Sequence, residues 1–211
     1  PPCRGHRVSR WLITRLDAVA PEVRSTFDPS ALGDTEVEYY SIPALDSTGS
    51  PEVVPASEIL SLKQRLEGGE VMVSRLNPRK ARVVAVAPLG ERVALASGEF
   101  VVLQPRRVDR RFLTYVLLSE STRQFLDAHV QSVTRSHQRI RPEHLLKMPL
   151  SLPSPAQQRA IADYLDTETT RIDALITKKR RMIEVLDERR TEAIAQAVTA
   201  GFEADRPMVP T

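Results

Sequence analysis

From Ala156 to Thr199 the sequence contains neither proline nor glycine, and a run of that length has few ways to fold. Ahead of it stands Ser154-Pro155-Ala156-Gln157. Serine can cap a helix, proline suits the first helical position, and a glutamine three residues after the cap completes a capping box. Gly201 and then Pro207 follow as stop signals. The pattern predicts about 45 residues of helix, roughly 68 Å at 1.5 Å per residue. Asp166-Thr167-Glu168-Thr169-Thr170 is poor in helix formers, so a break or bend is expected there, with a short helix before it and a long one after.

Along this segment apolar residues recur in steps of three and four, close to a heptad: Ile161, Leu165, Ile172, Leu175, Ile176, Met182, Ile183, Leu186, Ala193, Ile194 and Ala197. Other faces carry Lys178, Lys179, Arg180, Arg181, Asp187, Glu188, Arg189 and Arg190. A helix this long cannot bury such a stripe against a domain beside its base. The stripe is therefore read as a helix interface that a partner helix must cover. The plainer alternative is a helix folded down onto its own domain.

The residues before it read differently. Trp11–Ala20 suits a strand or short helix, and Val37–Ile42, Glu70–Leu76 and Arg82–Ala87 read as strands. Arg92–Ala96 and Glu99–Gln104 look like a hairpin joined at Ser97-Gly98. From Asp109 the period becomes helical, over Asp109–Ser119 and Thr122–Val130, with a further short turn at Pro142–Lys147. The expected class is α+β, a mixed domain over residues 1–150, then a helical region over 151–201 and a tail over 202–211.

Charge is segregated. Through Leu150 there are 21 Lys/Arg against 17 Asp/Glu, yet residues 25–62 hold seven of those acids and no base. Of the 30 cations in the chain, 25 are Arg. Arginine forks match phosphates and guanine edges, so a polyanion partner fits, as does a plain codon bias toward Arg. The longest apolar run, Val83–Leu89, is seven residues and contains Pro88. A membrane span needs about 20, so no membrane partner is expected, and the cytoplasm is the expected compartment. One cysteine, Cys3, excludes a disulfide framework or a multi-cysteine zinc site.

No catalytic motif stands out. Asn77-Pro78-Arg79 stops short of an amino-methylation motif, and no phosphate-binding Gly-rich loop occurs. Asp163, Asp166, Glu168 and Asp173 read as a solvated helix face rather than metal ligands. Ser136 and His137 adjoin with no strained turn to make a nucleophile. The chemistry-bearing residues fall instead in two basic segments. One is the connection with Arg75, Asn77, Arg79, Lys80 and Arg82. The other is a loop with Arg135, Ser136, His137, Gln138, Arg139 and Arg141. Arg reads guanine O6/N7, Asn and Gln read adenine N6/N7, and any Arg or Lys can hold a phosphate. A third cluster, Arg106, Arg107, Arg110 and Arg111, serves equally well as surface.

Several of these pieces carry a resemblance. The opening Pro153-Ser154-Pro155, then AIADYLD (160–166), ET-x-RID-x-LI (168–176) and AVT-x-G (197–201) resemble the conserved region of type I restriction–modification specificity subunits. Upstream, GGEVMVSRLNP, SGEFVVLQP and RRFLTYVLLSE are similar to parts of that family's target recognition domain. The resemblance covers about 70–211 and is loose over 1–69. Two departures stand out. Gln157 occupies a position that is usually acidic, and a full subunit has two recognition domains and two conserved helices where this chain has one of each.

The resemblance implies a non-catalytic reader of double-stranded DNA. It implies a recognition domain for one half of a bipartite target, and a helix that packs on another and docks methyltransferase (modification) subunits, which restriction subunits then join. S-adenosylmethionine, ATP and magnesium would belong to those partners, with no cofactor in this chain. One reader and one helix imply either a half-subunit that forms a homodimer over an inverted repeat or a fragment of a longer subunit.

Overall fold

A computed structural model describes residues 11–130 and 138–200. Ten strands and six helices are found among them. The strands are β1 (Leu12–Arg15), β2 (Thr26–Phe27), β3 (Glu36–Tyr40), β4 (Glu52–Pro55), β5 (Lys63–Leu66), β6 (Val71–Ser74), β7 (Val83–Ala85), β8 (Val93–Ala96), β9 (Phe100–Leu103) and β10 (Pro149–Leu152). The helices are α1 (Leu16–Val19), α2 (Ile42–Thr48), α3 (Arg110–Leu118), α4 (Glu120–Ala128), α5 (Pro142–Leu146) and α6 (Pro155–Ala200). The class is α+β with a long C-terminal helix. No described helix is long and apolar enough to cross a membrane.

Three sheets form. The largest has the order β2-β5-β8-β3-β4, antiparallel except for the parallel β3–β8 pair. A second is β7-β6-β9, and a third is the ribbon β1-β10. Side chains alternate across a strand, and β6 and β9 use both faces. Val71, Val73, Val101 and Leu103 pack with Leu113, Leu117, Leu126 and Leu145 of the helices. Met72, Phe100 and Val102 face the other way, onto Leu66, Ala94 and Ala96 of the large sheet. Strands buried on both faces read as unbroken apolar runs, which is why VMV and FVVL were legible as strands.

The hairpin expected at Ser97-Gly98 is not formed. β8 lies in the five-stranded sheet and β9 in the three-stranded one. The Phe100 N–H donates to the Ser97 carbonyl at 3.1 Å, closing a corner between layers. Ala96 and Phe100 then meet in the core between the two sheets. Paired as a hairpin, the two strands would share one sheet, and that core would lose one wall.

α3 and α4 are separated at Ser119, whose extended backbone (ψ 153°) ends one helix while its hydroxyl accepts from the Thr122 N–H at 3.3 Å and caps the next. The capping box of α6 forms as predicted: Ser154 N–H donates to Gln157 Oε1 at 3.1 Å and Gln157 N–H to Ser154 Oγ at 3.4 Å. The break expected at 166–170 does not occur, and α6 is one helix of 46 residues. The Thr167 and Thr169 hydroxyls donate to the Asp163 and Leu165 carbonyls, each at 2.8 Å. Bonded back along the helix, those hydroxyls no longer compete with its backbone bonds.

The molecule divides into two compact units, residues 1–162 and 163–211. The first turns of α6 belong to the former. Gln158 is buried, donates to the Pro153 carbonyl at 2.9 Å and accepts from the Asp109 N–H at 2.7 Å, and Ala162 is fully buried. Of the expected stripe, Ile161, Leu165 and Ala197 are half-buried and Ala193 is exposed. Ile172, Leu175, Ile176, Met182, Ile183, Leu186 and Ile194 are 41–59% exposed, so this chain alone leaves them uncovered.

Candidate nucleic-acid interface

The two basic segments named from sequence meet. The Asn77 N–H donates to the Gln138 carbonyl at 2.8 Å, the Ile140 N–H donates to the Arg75 carbonyl at 3.1 Å, and Leu76 bridges Arg139 in antiparallel register. The β6–β7 connection thus lies alongside residues 138–140. Ile140 anchors that chain in the core beside Leu145 and Met148. Arg135, Ser136 and His137 lie outside the described residues. Gln138 is half-buried, and Arg139 and Arg141 are exposed.

The connection itself is tightly wound. Asn77 and Ala81 bracket a 3-10 turn, Pro78–Lys80, and both have positive φ, 49° and 43°. Asn tolerates that region; Ala is strained there, and such strain gathers at functional turns.

Most of the cations here are already paired. Arg139 donates from Nε and Nη2 to the two oxygens of Glu99 at 3.1 and 2.9 Å, and Arg75 Nη2 lies 3.7 Å from the same carboxylate. Arg79 holds Asp127 at 2.7 Å. Lys80 reaches Asp46 at 3.2 Å, and Arg82 grips it at 2.5 and 2.7 Å. These hydrogen bonds, first from Arg82, hold the Asp46 carboxyl well below the usual carboxylate range. Arg82 also donates to the Leu76 carbonyl at 3.0 Å, and its side chain is only 8% exposed. Arg82 therefore braces the turn and leaves little side-chain surface exposed. Arg79 and Lys80 remain largely exposed despite their partners.

Asp46→Asn is expected to lower stability by about 1 kcal/mol, a figure discounted because the carboxylate is partly solvated. Its pKa is depressed in the fold, so its contribution is present above the ordinary carboxylate pKa and is lost as pH falls through the depressed value. Thermal unfolding from pH 7 to pH 2 checks this. The gap between parent and variant should be full above the ordinary carboxylate pKa and shrink progressively as pH falls below it toward 2.

In the third cluster the backbone N–H groups of Arg106 and Arg107 both donate to the Val19 carbonyl while their side chains are exposed, and Arg110 Nη1 donates to the Val86 carbonyl at 2.7 Å. Among the described residues no group of three or more His, Cys, Asp or Glu could hold a metal ion.

One feature escaped the sequence reading. A cavity of about 320 Å³ opens beside β5, lined by Arg24, Thr26, Leu62, Lys63, Gln64 and Arg75 among others. It adjoins the seam of the two basic segments through Arg75. Only Arg75 among these six had been singled out. The others lie on β2, on β5 and on the chain leading into each.

No family model matches this sequence, and no curated protein does. Solved structures do. A chain from work on complex assembly and conformational transition of the type I R-M system superposes with a TM-score of 0.67 at 21% identity, over 94% of this chain and 52% of that one. The HsdS subunit from Thermoanaerobacter tengcongensis gives 0.66 at 21% identity, over 95% and 52%. The type I restriction-modification S subunit from M. genitalium gives 0.53 at 15%, over 92% and 47%. This chain has the S-subunit fold. It spans about half the length of each solved chain.

Proposed function

We propose that this chain is a non-catalytic DNA-specificity subunit of a type I restriction–modification complex, working in the cytoplasm. The first unit reads one half of a bipartite target. The helical region pairs with an equivalent helix and docks modification subunits, to which restriction subunits add. S-adenosylmethionine, ATP and magnesium are the partners' cofactors. The observation that carries this reading is the likeness to S subunits over 94–95% of the chain, which takes in recognition unit and helix together. The uncovered stripe on α6 supports a partner helix, either a second copy in a homodimer over an inverted repeat or the other half of a longer subunit.

Expressed with a type I methyltransferase subunit, the chain is expected to produce one new methylated bipartite motif in the host methylome. Purified alone it is expected neither to cleave nor to methylate DNA, with or without magnesium or S-adenosylmethionine. Turnover that disappears on mutating its own residues would overturn the reading.

A second reading, an assembly module that occupies the methyltransferase dock without reading DNA, draws on the carboxylate pairing of Arg79, Lys80, Arg82 and Arg139. Mobility shift of duplex DNA with the methyltransferase subunit present separates the two: a sequence-dependent shift belongs to the first reading only.

A further inference from the structure

Charge interrupts the uncovered stripe of α6 at two central places. Written in sevens, one column of the helix reads Gln158, Leu165, Ile172, Lys179 and Leu186. The column three residues further on reads Ile161, Glu168, Leu175, Met182 and Arg189. Two such columns make the seam of a paired helix. Lys179 and Glu168 each stand where an apolar side chain is expected. Lys179 is exposed, and among the described residues no carboxylate pairs with it. Glu168 has Arg171 of its own helix at 3.9 Å, a solvated contact that contributes little. A charge in a helix seam is costly unless the opposite charge meets it, and a lone polar residue there fixes register and oligomer state.

In an antiparallel pair, each column of one helix meets the other column of its partner. Setting Lys179 against Glu168 of a second copy determines every other layer. Ile172 then meets Leu175, Leu165 meets Met182, and Leu186 meets Ile161, so all three are apolar. The next layer sets Gln158 against Arg189 and ends the seam. Sliding one helix by a heptad either way sets Glu168 against Ile172 or Leu186, and Lys179 against Ile161 or Leu175. A parallel pair in register sets Lys179 against Lys179 and Glu168 against Glu168.

Resting on the reading of this chain as a specificity subunit whose helix pairs, we propose that α6 pairs antiparallel with α6 of a second copy, in the register that sets Glu168 against Lys179. One chain answers both of its own charges, which selects a second copy over an unrelated helix. A two-fold axis repeats each contact, so two Glu168–Lys179 pairs form, one on either side of an axis between Asp173 and Ala174. The two Pro155 ends then lie roughly 56 Å apart along the pair at 1.5 Å per residue. One heptad of slip changes that separation by roughly 10 Å, about three base pairs of a target's spacer.

The test is sedimentation equilibrium of the full chain over a dilution series. Glu168→Lys and Lys179→Glu each turn two attractive contacts into two repulsive ones. Each is expected to weaken dimerisation at least about tenfold. The double variant E168K/K179E restores opposite charges and is expected within about threefold of the parent. Residues this far apart on one helix do not touch, so the recovery arises between copies. An equimolar mixture of the two single variants is expected to recover as well. If the single variants dimerise like the parent, or the double variant stays as weak as they are, the register is wrong and pairing with a second copy stands. A monomeric parent overturns the register and the second copy together, while a new methylated motif in the host would still uphold the specificity reading.

Discussion

Leu175→Asp combined with Leu186→Asp is expected to convert a dimer into a monomer. Both side chains stand about half exposed on α6 of the single chain, on a stripe whose steps of three and four match the packing of one helix against another. In a two-fold pair each substitution occurs twice, placing four unpaired carboxylates in an apolar seam. Each costs several kcal/mol to desolvate, and about 4 kcal/mol already changes a dissociation constant by roughly a thousandfold. Light scattering at micromolar concentration reads the outcome. The parent is expected at twice the 23.6 kDa chain mass and the variant at one. A monomeric parent would overturn pairing with a second copy.

The second large effect is expected at Arg139. Glu99 holds its Nε and Nη2, and a guanidinium held on that edge still has the opposite edge, Nη1 and Nη2, to offer a base. Glu99 then acts as a buttress that fixes the fork. Arg139→Ala is expected to cost about 1–3 kcal/mol on the target duplex and to relax one position of the sequence. Glu99→Gln should relax the same position by a smaller amount. Uniform weakening on all duplexes, with the salt slope lower by about one, would assign Arg139 to a phosphate instead. Binding unchanged in Arg139→Ala, Gln138→Ala and Arg135→Ala would remove this loop from the interface and leave the 75–80 turn as the better candidate.

What was legible in the sequence follows from how each element is buried. α3 and α4 present apolar residues at helical spacing to one core, and α6 has a capping box and no breaker, so all three were readable. β6 and β9 were readable because both faces are apolar. β5 was not: its sequence KQRL buries Lys63 where a pattern reader expects an apolar side chain. β4 and β10 each contain a proline, which read as loop but is tolerated at strand ends. The pairing of β8 and β9 with different sheets depends on which layer each strand covers, and no local pattern records that. The interface divides in the same way. Its residue types were visible as basic runs, but their carboxylate partners, Asp46, Glu99 and Asp127, lie far away in sequence. The cavity draws on elements that individually look ordinary.

The ribbon of β1 with β10 has a consequence for how such a unit changes over time. Leu12 sits opposite Leu152 and Arg15 opposite Pro149, so the chain enters and leaves the strand-bearing unit through one narrow doorway. A segment whose two ends are stitched together can be lifted out and replaced by another of different length or loop content, provided the replacement restores that seam. The second requirement is the latch at Gln158, which needs only a backbone N–H where Asp109 now supplies one. The unit between those ends can then be exchanged as a cassette, while the helix that follows keeps its own sequence.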